Sequence, residues 1–407
     1  MSVASFYQSK SFKNHWIDFW FGALLLGFYC ITVGFLVFPS NSGIQSSYYS
    51  LVVIPMFALL PVIRPSKVNL KLLFIFLSAP VYLAISSFWA DPNIATAYRE
   101  PVFFFKLVLL LLLLFLAVRM LLDRNPEFPI TWVYVMAFVG GVSAVASLAD
   151  YLITHHSVLP NKFPRFKGLI WGGDTNRVAA FYTAAFLANL FVFFNASKMY
   201  KWLAAVSVVP LVACVLLAQS KVPLAVILCS VFVVIFSALK RGNKLWVLIA
   251  FALLLAIGLW LAFGTNTFSR QYSFFIRGEI WSVALEELGS QWFFGAGLNY
   301  RVSLVADGTT FGQAHSFIID AMRFGGIVVV CLLISQIITG LLNAYRHIAN
   351  PIVMFLLVWW LSGMGTALVE AQQPLIRPSY VWFLYWIPLI MIIQVCDTKQ
   401  SVRTTTD

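Results

Sequence analysis

The chain has 407 residues, 61% of them hydrophobic and only 10% charged, with a formal net charge of +12. A soluble domain carries roughly 25% charged residues, so the composition excludes an ordinary soluble protein. Continuous apolar runs of about 20 residues recur along the whole length, which predicts an all-α polytopic membrane protein and argues against a β-barrel, whose strands alternate.

The runs divide the chain, read as one integral membrane domain over 1–407, into about twelve spans. They lie near 16–37, 49–63, 70–90, 101–122, 130–153, 177–195, 201–219, 222–239, 244–264, 316–342, 351–369 and 379–395. The second is short and fits a little-tilted or partly re-entrant segment. The 201–239 region reads as a tight hairpin interrupted at Ser220-Lys221-Val222-Pro223. The first run is too long for the apolar core of a cleaved signal sequence and lacks a small-residue cleavage site, so it reads as an uncleaved anchor. Cys30, Cys214, Cys229, Cys331 and Cys396 fall inside or at the ends of spans, without metal or disulfide spacing, and read as small core residues.

Basic residues set the orientation. Lys10 and Lys13, Arg64, Lys67 and Lys71, Arg119 and Arg124, Lys198 and Lys201, Lys240, Arg241 and Lys244, Arg346, and Lys399 and Arg403 form short groups on one side, read as cytoplasmic together with both termini. The remaining cations then fall on the outer side, among them Lys162, Arg165, Lys167, Arg177, Lys221, Arg270, Arg277, Arg301 and Arg377. Outer cations work against the positive-inside bias, and an anionic ligand is the simplest reason for them. The net charge by itself also suits a protein facing anionic lipid.

Three outer segments carry the polar chemistry. The first, Lys162 to Arg177, reads KFPRFKGLIWGGDTNR and ends at a hydrophobic helix that Asp174 or Asn176 is able to cap. A helix N-terminus flanked by Arg177 is a suitable place for phosphate. The second is the short turn carrying Lys221. The third, 265–315, is a large loop between the ninth and tenth spans. Within it, an amphipathic helix is expected over about 277–290, with Ile280, Trp281, Ala284, Leu285 and Leu288 on one face and Glu279, Ser282, Glu286 and Glu287 opposite. Arg301 follows a Trp-Phe-Phe-Gly-Ala-Gly turn, and His315 closes the loop. For each of these cations, and for His315, ligand contact and a plain interfacial position both remain open on position alone. Arg323 sits roughly 12 Å beyond His315 along a helix, and Asp320 and Arg323 are expected to pair at i, i+3. Lys106 is expected to snorkel, and Glu370 to rim the same outer site near Gln372, Gln373 and Arg377. No nucleotide-binding glycine loop and no Cys/His metal cluster occurs in the sequence.

The order of these features resembles the O-antigen ligase and polymerase superfamily of bacterial polysaccharide assembly. That family has about twelve spans, a large outer loop between the ninth and tenth, and a histidine at the loop's end. Its H-[NSQ]-x9-G-x2-[GTY] pattern is matched by His315, Ser316 and Gly326 and departs at Val329. Its R-x-x-x-W element looks like Arg277 with Trp281, and its Ser-Arg turn looks like Ser220-Lys221, with lysine in place of the bidentate arginine.

The resemblance implies a metal-independent glycosyltransferase of C-type architecture, using neither a cofactor nor a nucleotide sugar. Its donor is a glycan on undecaprenyl diphosphate and its acceptor a sugar hydroxyl of lipid A–core, at the periplasmic face of the bacterial inner membrane. On that reading His315 is the general base, Arg277 and Lys221 hold the diphosphate, and Arg177, Arg301, Asn176, Glu279, Arg165 and Lys167 contact substrate. Direct attack inverts the anomeric centre, whereas a double displacement needs a carboxylate nucleophile; Glu279 is the nearest in sequence and reads rather as a group that orients an arginine. A polymerase of the same superfamily and a protein O-oligosaccharyltransferase are the neighbouring readings. A transporter or flippase of lipid-linked anions is the rival of another class; it predicts charges through the midplane and internal repeats, whereas the polar residues here gather on one side.

Overall fold

A computed structural model describes residues 3–61, 68–90, 99–154, 165–169, 174–240, 271–298, 304–370 and 374–403. The chain is an all-α polytopic membrane protein. Among the described residues seven helices are long and apolar enough to cross a membrane, and Leu70–Ser86, Lys221–Ser230 and Trp382–Thr398 are shorter apolar helices. The expected ninth span, 244–264, lies outside the described residues.

In chain order the helices are α1 (Val3–Thr32), α2 (Asn41–Tyr48), α3 (Ile54–Leu59), α4 (Leu70–Ser86), α5 (Pro101–Arg124), α6 (Phe128–Thr154), α7 (Thr175–Asn195), α8 (Lys198–Ala218), α9 (Lys221–Lys240), α10 (Gln271–Glu286), α11 (Phe317–Arg346), α12 (Pro351–Glu370) and α13 (Ile387–Arg403). The segment expected as a short second span, 49–63, holds a π-turn, Tyr49–Val53, that continues α2 into α3. A second π-turn, Trp382–Trp386, leads into α13. Both lie just before a proline, Pro55 or Pro388, whose missing N–H disrupts the ladder. In α4, Pro80 frees the Phe76 carbonyl. The buried Gln336 of α11 donates to it at 2.8 Å, and Tyr385 donates to the Gln336 oxygen at 3.1 Å. A polar side chain deep in the bundle is thus satisfied by a gap that a proline opened.

α7 is the most enclosed span: it packs against α6, α8, α9 and α12, and its residues from Val178 to Asn189 are buried. One end of the bundle gathers Asp18 with Arg124, and Asp397 with Arg119 and Asn69. The start of α7, the first turns of α10 and the last residue of α12 meet at another set of contacts, described below.

α11 is broken at Gly326, where φ is +61° and ψ is −160°, a conformation essentially confined to glycine. The 292–297 segment fills the break. Ala296 and Gly297 donate to the Arg323 and Phe324 carbonyls at 2.8 and 3.0 Å, and Ile327 donates to Trp292 O at 3.0 Å. Trp89 holds the segment from α4's side, donating to Gly295 O at 3.1 Å. Irregular backbone of this kind survives beside a membrane only when protein groups satisfy it. The position matches the motif glycine, and the structure supplies its reason: a Cβ there would lie 2.1 Å from Phe293 O. We expect Gly326→Ala to lower the detergent-solubilised melting temperature sharply, since the strain alone costs about 1–3 kcal/mol. Gly22→Ala is the control, because an added Cβ there meets nothing within 4 Å. Equal melting of the two variants would overturn this account.

The helix expected over about 277–290 runs over Gln271–Glu286 instead. Ile280, Ala284 and Leu288 are buried as expected, but Leu285 is 40% exposed. The covering layer decides this. Strands β1 (Leu304–Ala306) and β2 (Thr309–Phe311) form an antiparallel hairpin, and Leu304, Ala306 and Ala314 complete a small separate core with Ile280 and Ala284. Leu285 lies outside that core.

Candidate active site

Asp174 caps α7, accepting from the Asn176 and Arg177 backbone N–H groups at 3.1 and 3.3 Å. The cap fixes the first turn of α7, which carries Asn176 and Arg177. Arg177 pairs with Asp174 at 2.6 Å, and its guanidinium lies 4.0 Å from the centre of the Tyr380 ring. Asn176 donates to Glu370 Oε1 at 2.7 Å and accepts from Arg165 at 2.8 Å. Arg165 also donates to Ala218 O at 3.1 Å, which ties it to the end of α8.

Glu370 is the centre of this arrangement. Its Oε1 receives both Asn176 and the Arg277 guanidinium, so α7, α10 and α12 meet on one carboxylate. Its backbone carbonyl accepts from Tyr380 at 3.3 Å. Arg277 and Trp281 stand at i, i+4 on α10 and share a face. Arg277 reaches Glu370, while Trp281 Nε1 donates to Ala314 O at 2.9 Å, next to His315. The R-x-x-x-W spacing thus links two separate parts of the site through one helix face.

His315 is half-buried and holds a left-handed backbone, φ +50°. Its Nδ1 lies 3.3 Å from the Gln313 amide. Burial pushes the imidazole pKa below its ordinary 6.5, the Arg277 charge lowers it further, Asp174 opposes, and Arg177 adds to the lowering. His315 is therefore largely neutral at pH 7, and it shares the Arg277 charge with Glu370.

The sequence-predicted residues divide as follows. Arg165, Asn176, Arg177, Arg277 and His315 come together. Lys221 is exposed at the first position of α9, following the buried Ser220. Lys167 is exposed on the segment entering α7. Glu279 is exposed, and its carboxylate accepts from the Asp307 backbone N–H at 3.1 Å at the hairpin turn. Two helical positions from Arg277, it lies about 200° around the helix from it, so it faces the hairpin, and among the described residues no arginine is paired with it there. Arg301 lies outside the described residues, as do Lys162, Arg270, Gln372 and Gln373. Asp320 and Arg323 pair at 3.2 Å as expected. Sequence reading places Glu370 only at the rim, and it passes over Gln313 and Tyr380. A polar residue two positions before the loop histidine is the available signal for Gln313.

Three arginines grouped with Glu370 and Asp174, beside a neutral histidine, are suited to bind an anionic group and to accept a proton next to it. Among the described residues no group of three or more His, Cys, Asp or Glu side chains is placed to hold a metal ion. No family model matches the chain. A comparison with curated proteins finds the O-antigen ligase of Pseudomonas aeruginosa, 24% identical over 408 residues, covering 95% of this chain and 92% of that protein. This chain is a relative of O-antigen ligases. The alignment spans nearly the whole of both proteins, so the similarity to the ligase is not confined to the motifs.

Proposed function

We propose that the chain is an O-antigen ligase of twelve spans, with both termini cytoplasmic and its site at the periplasmic face of the inner membrane. It transfers a glycan from undecaprenyl diphosphate to a sugar hydroxyl of lipid A–core. The observation that carries this reading is the meeting of Arg277, Asn176 and, through Asn176, Arg165 on Glu370, with His315 under the Arg277 and Arg177 charges.

In the reaction, the acceptor hydroxyl oxygen bonds to the anomeric carbon as its bond to the diphosphate oxygen breaks, inverting the centre. His315 takes the hydroxyl proton. The Gln313 amide nitrogen faces Nδ1 at 3.3 Å; when the amide turns over, its oxygen accepts from Nδ1–H and Nε2 carries the basic lone pair. Arg277 and Lys221 hold the departing diphosphate and stabilise the charge that grows on it. Arg177 and Arg165 extend the cationic wall, Asn176 orients, and Lys167 and Arg301 complete the substrate contacts. Each of these steps is carried by a side chain of the protein.

The test uses the purified wild type with lipid-linked donor, in the presence and absence of lipid A–core. Glycan on lipid A–core is the expected product. Extension of the donor without modification of lipid A–core would make the protein a polymerase. Movement of intact donor across a vesicle bilayer with no transfer would make it a transporter.

A further inference from the structure

His315 is an L-residue held at φ +50°, and such a conformation persists only where its surroundings over-determine it. The Asp320 side chain holds the chain on one side of it, and the first backbone bond of α11 holds it on the other. The Asp320 carboxylate accepts from the Ala314 N–H at 3.1 Å, and the Asp320 backbone N–H donates to Ser316 O at 2.9 Å. Trp281 fixes the peptide between Ala314 and His315, donating to Ala314 O. The Ser316 hydroxyl caps α11 by accepting from the Ile319 N–H at 3.5 Å. His315 is therefore the single bent residue between a clamped peptide and a capped helix.

Asp320 is 1% exposed, and Arg323, 2% exposed, donates to the same Oδ1 at 3.2 Å. Arg323 also lies 3.7 Å from Glu287, just past the end of α10. Its backbone carbonyl receives Ala296 of the segment that fills the α11 break. A buried ion pair contributes little net stability compared with apolar residues of the same shape. An i, i+3 pair that merely neutralised itself would have no use for the Ala314 N–H.

We propose that Asp320 is a positioning residue for His315. Its carboxylate holds residue 314 in place against the helical turn that fixes 316, so that the bend at 315 presents the imidazole to the Arg277 charge. Calling His315 the base rests on the proposed function; the clamp itself does not.

The experiment uses the full chain in lipid nanodiscs. Asp320→Asn keeps an oxygen acceptor. Asp320→Leu combined with Arg323→Met removes the acceptor without leaving a guanidinium unpaired. Hydrogen exchange of peptides covering 312–316 is followed without substrate, and transfer is measured as kcat and donor KM. The double variant is expected to exchange faster over 312–316 at a near-native melting temperature. Its kcat should fall at least tenfold with donor KM unchanged, and Asp320→Asn should recover most of both. Should the double variant not fold, Trp281→Phe, which keeps the ring and loses the N–H, is expected to give the same local rise in exchange. Native exchange over 312–316 in the folded double variant, or in Trp281→Phe, overturns the proposal. Faster exchange in a protein whose wild type shows no transfer upholds the clamp and rejects the ligase reading. Lost transfer with native exchange does the reverse.

Discussion

His315→Ala is expected to lower glycan transfer by about 10²- to 10⁴-fold, the range for a positioned general base, while donor binding stays within about twofold. The proton of the acceptor hydroxyl has to leave as the new glycosidic bond forms, and in the proposed mechanism it goes to the half-buried imidazole, which burial first, and then the Arg277 and Arg177 charges, keep neutral. The sign of the pH dependence follows. A base works in its deprotonated form, and the His315 pKa lies below 6.5. Wild-type transfer should therefore be flat around pH 7 and fall on the acid side, with its half-point below 6.5. Assays on purified protein across pH 5 to 9, with melting curves on the same samples, check this. Full transfer by a well-folded His315→Ala protein would remove the base from the mechanism and leave only the anion-binding role of the arginines.

The seven membrane-length helices among the described residues were legible because lipid demands long uninterrupted apolar runs, and a run is a local property of sequence. The Asp320–Arg323 pair was legible for the same reason, being fixed by helix spacing. The centre of the site was not. Glu370 stands 194 positions from Asn176 and 93 from Arg277, and no local pattern reports which helix ends meet. The outer hairpin lies between these extremes. Asp307-Gly308 between short β-prone runs is a turn signal, and both residues have positive φ. Three-residue strands inside a polar loop gave too little alternation for the hairpin to be read. Glu279 went to the site because it neighbours Arg277 in sequence, but neighbours at i, i+2 on a helix face apart. Gly326 was found through a motif, and only the docked 292–297 segment accounts for it.

Arg277→Ala is expected to lower transfer by about 10²- to 10³-fold, comparable to removing one donor that stabilises a developing oxyanion. The effect has two parts, and each has its own readout. The leaving diphosphate loses a guanidinium that reaches the site from α10, so donor KM should rise together with the fall in kcat. Arg277→Lys should recover only a part of this, because a point charge does not reproduce two parallel hydrogen bonds. The second part acts on His315. Arg277 lowers the imidazole pKa by its charge, so its removal raises that pKa towards the ordinary value and moves the acid limb of the pH profile upward. Arg277→Lys retains the charge and should leave the limb nearly where it was. A limb that does not move in Arg277→Ala would mean that the guanidinium and the imidazole do not share one electrostatic site. Glu370 controls for damage to the fold: in the Arg277→Ala protein it keeps Asn176 but loses the guanidinium that contacts it. Arg277→Ala with Glu370→Gln should therefore melt higher than Arg277→Ala alone while transferring no faster. Recovery of transfer in the double variant would show that the single loss was one of folding and not of diphosphate binding.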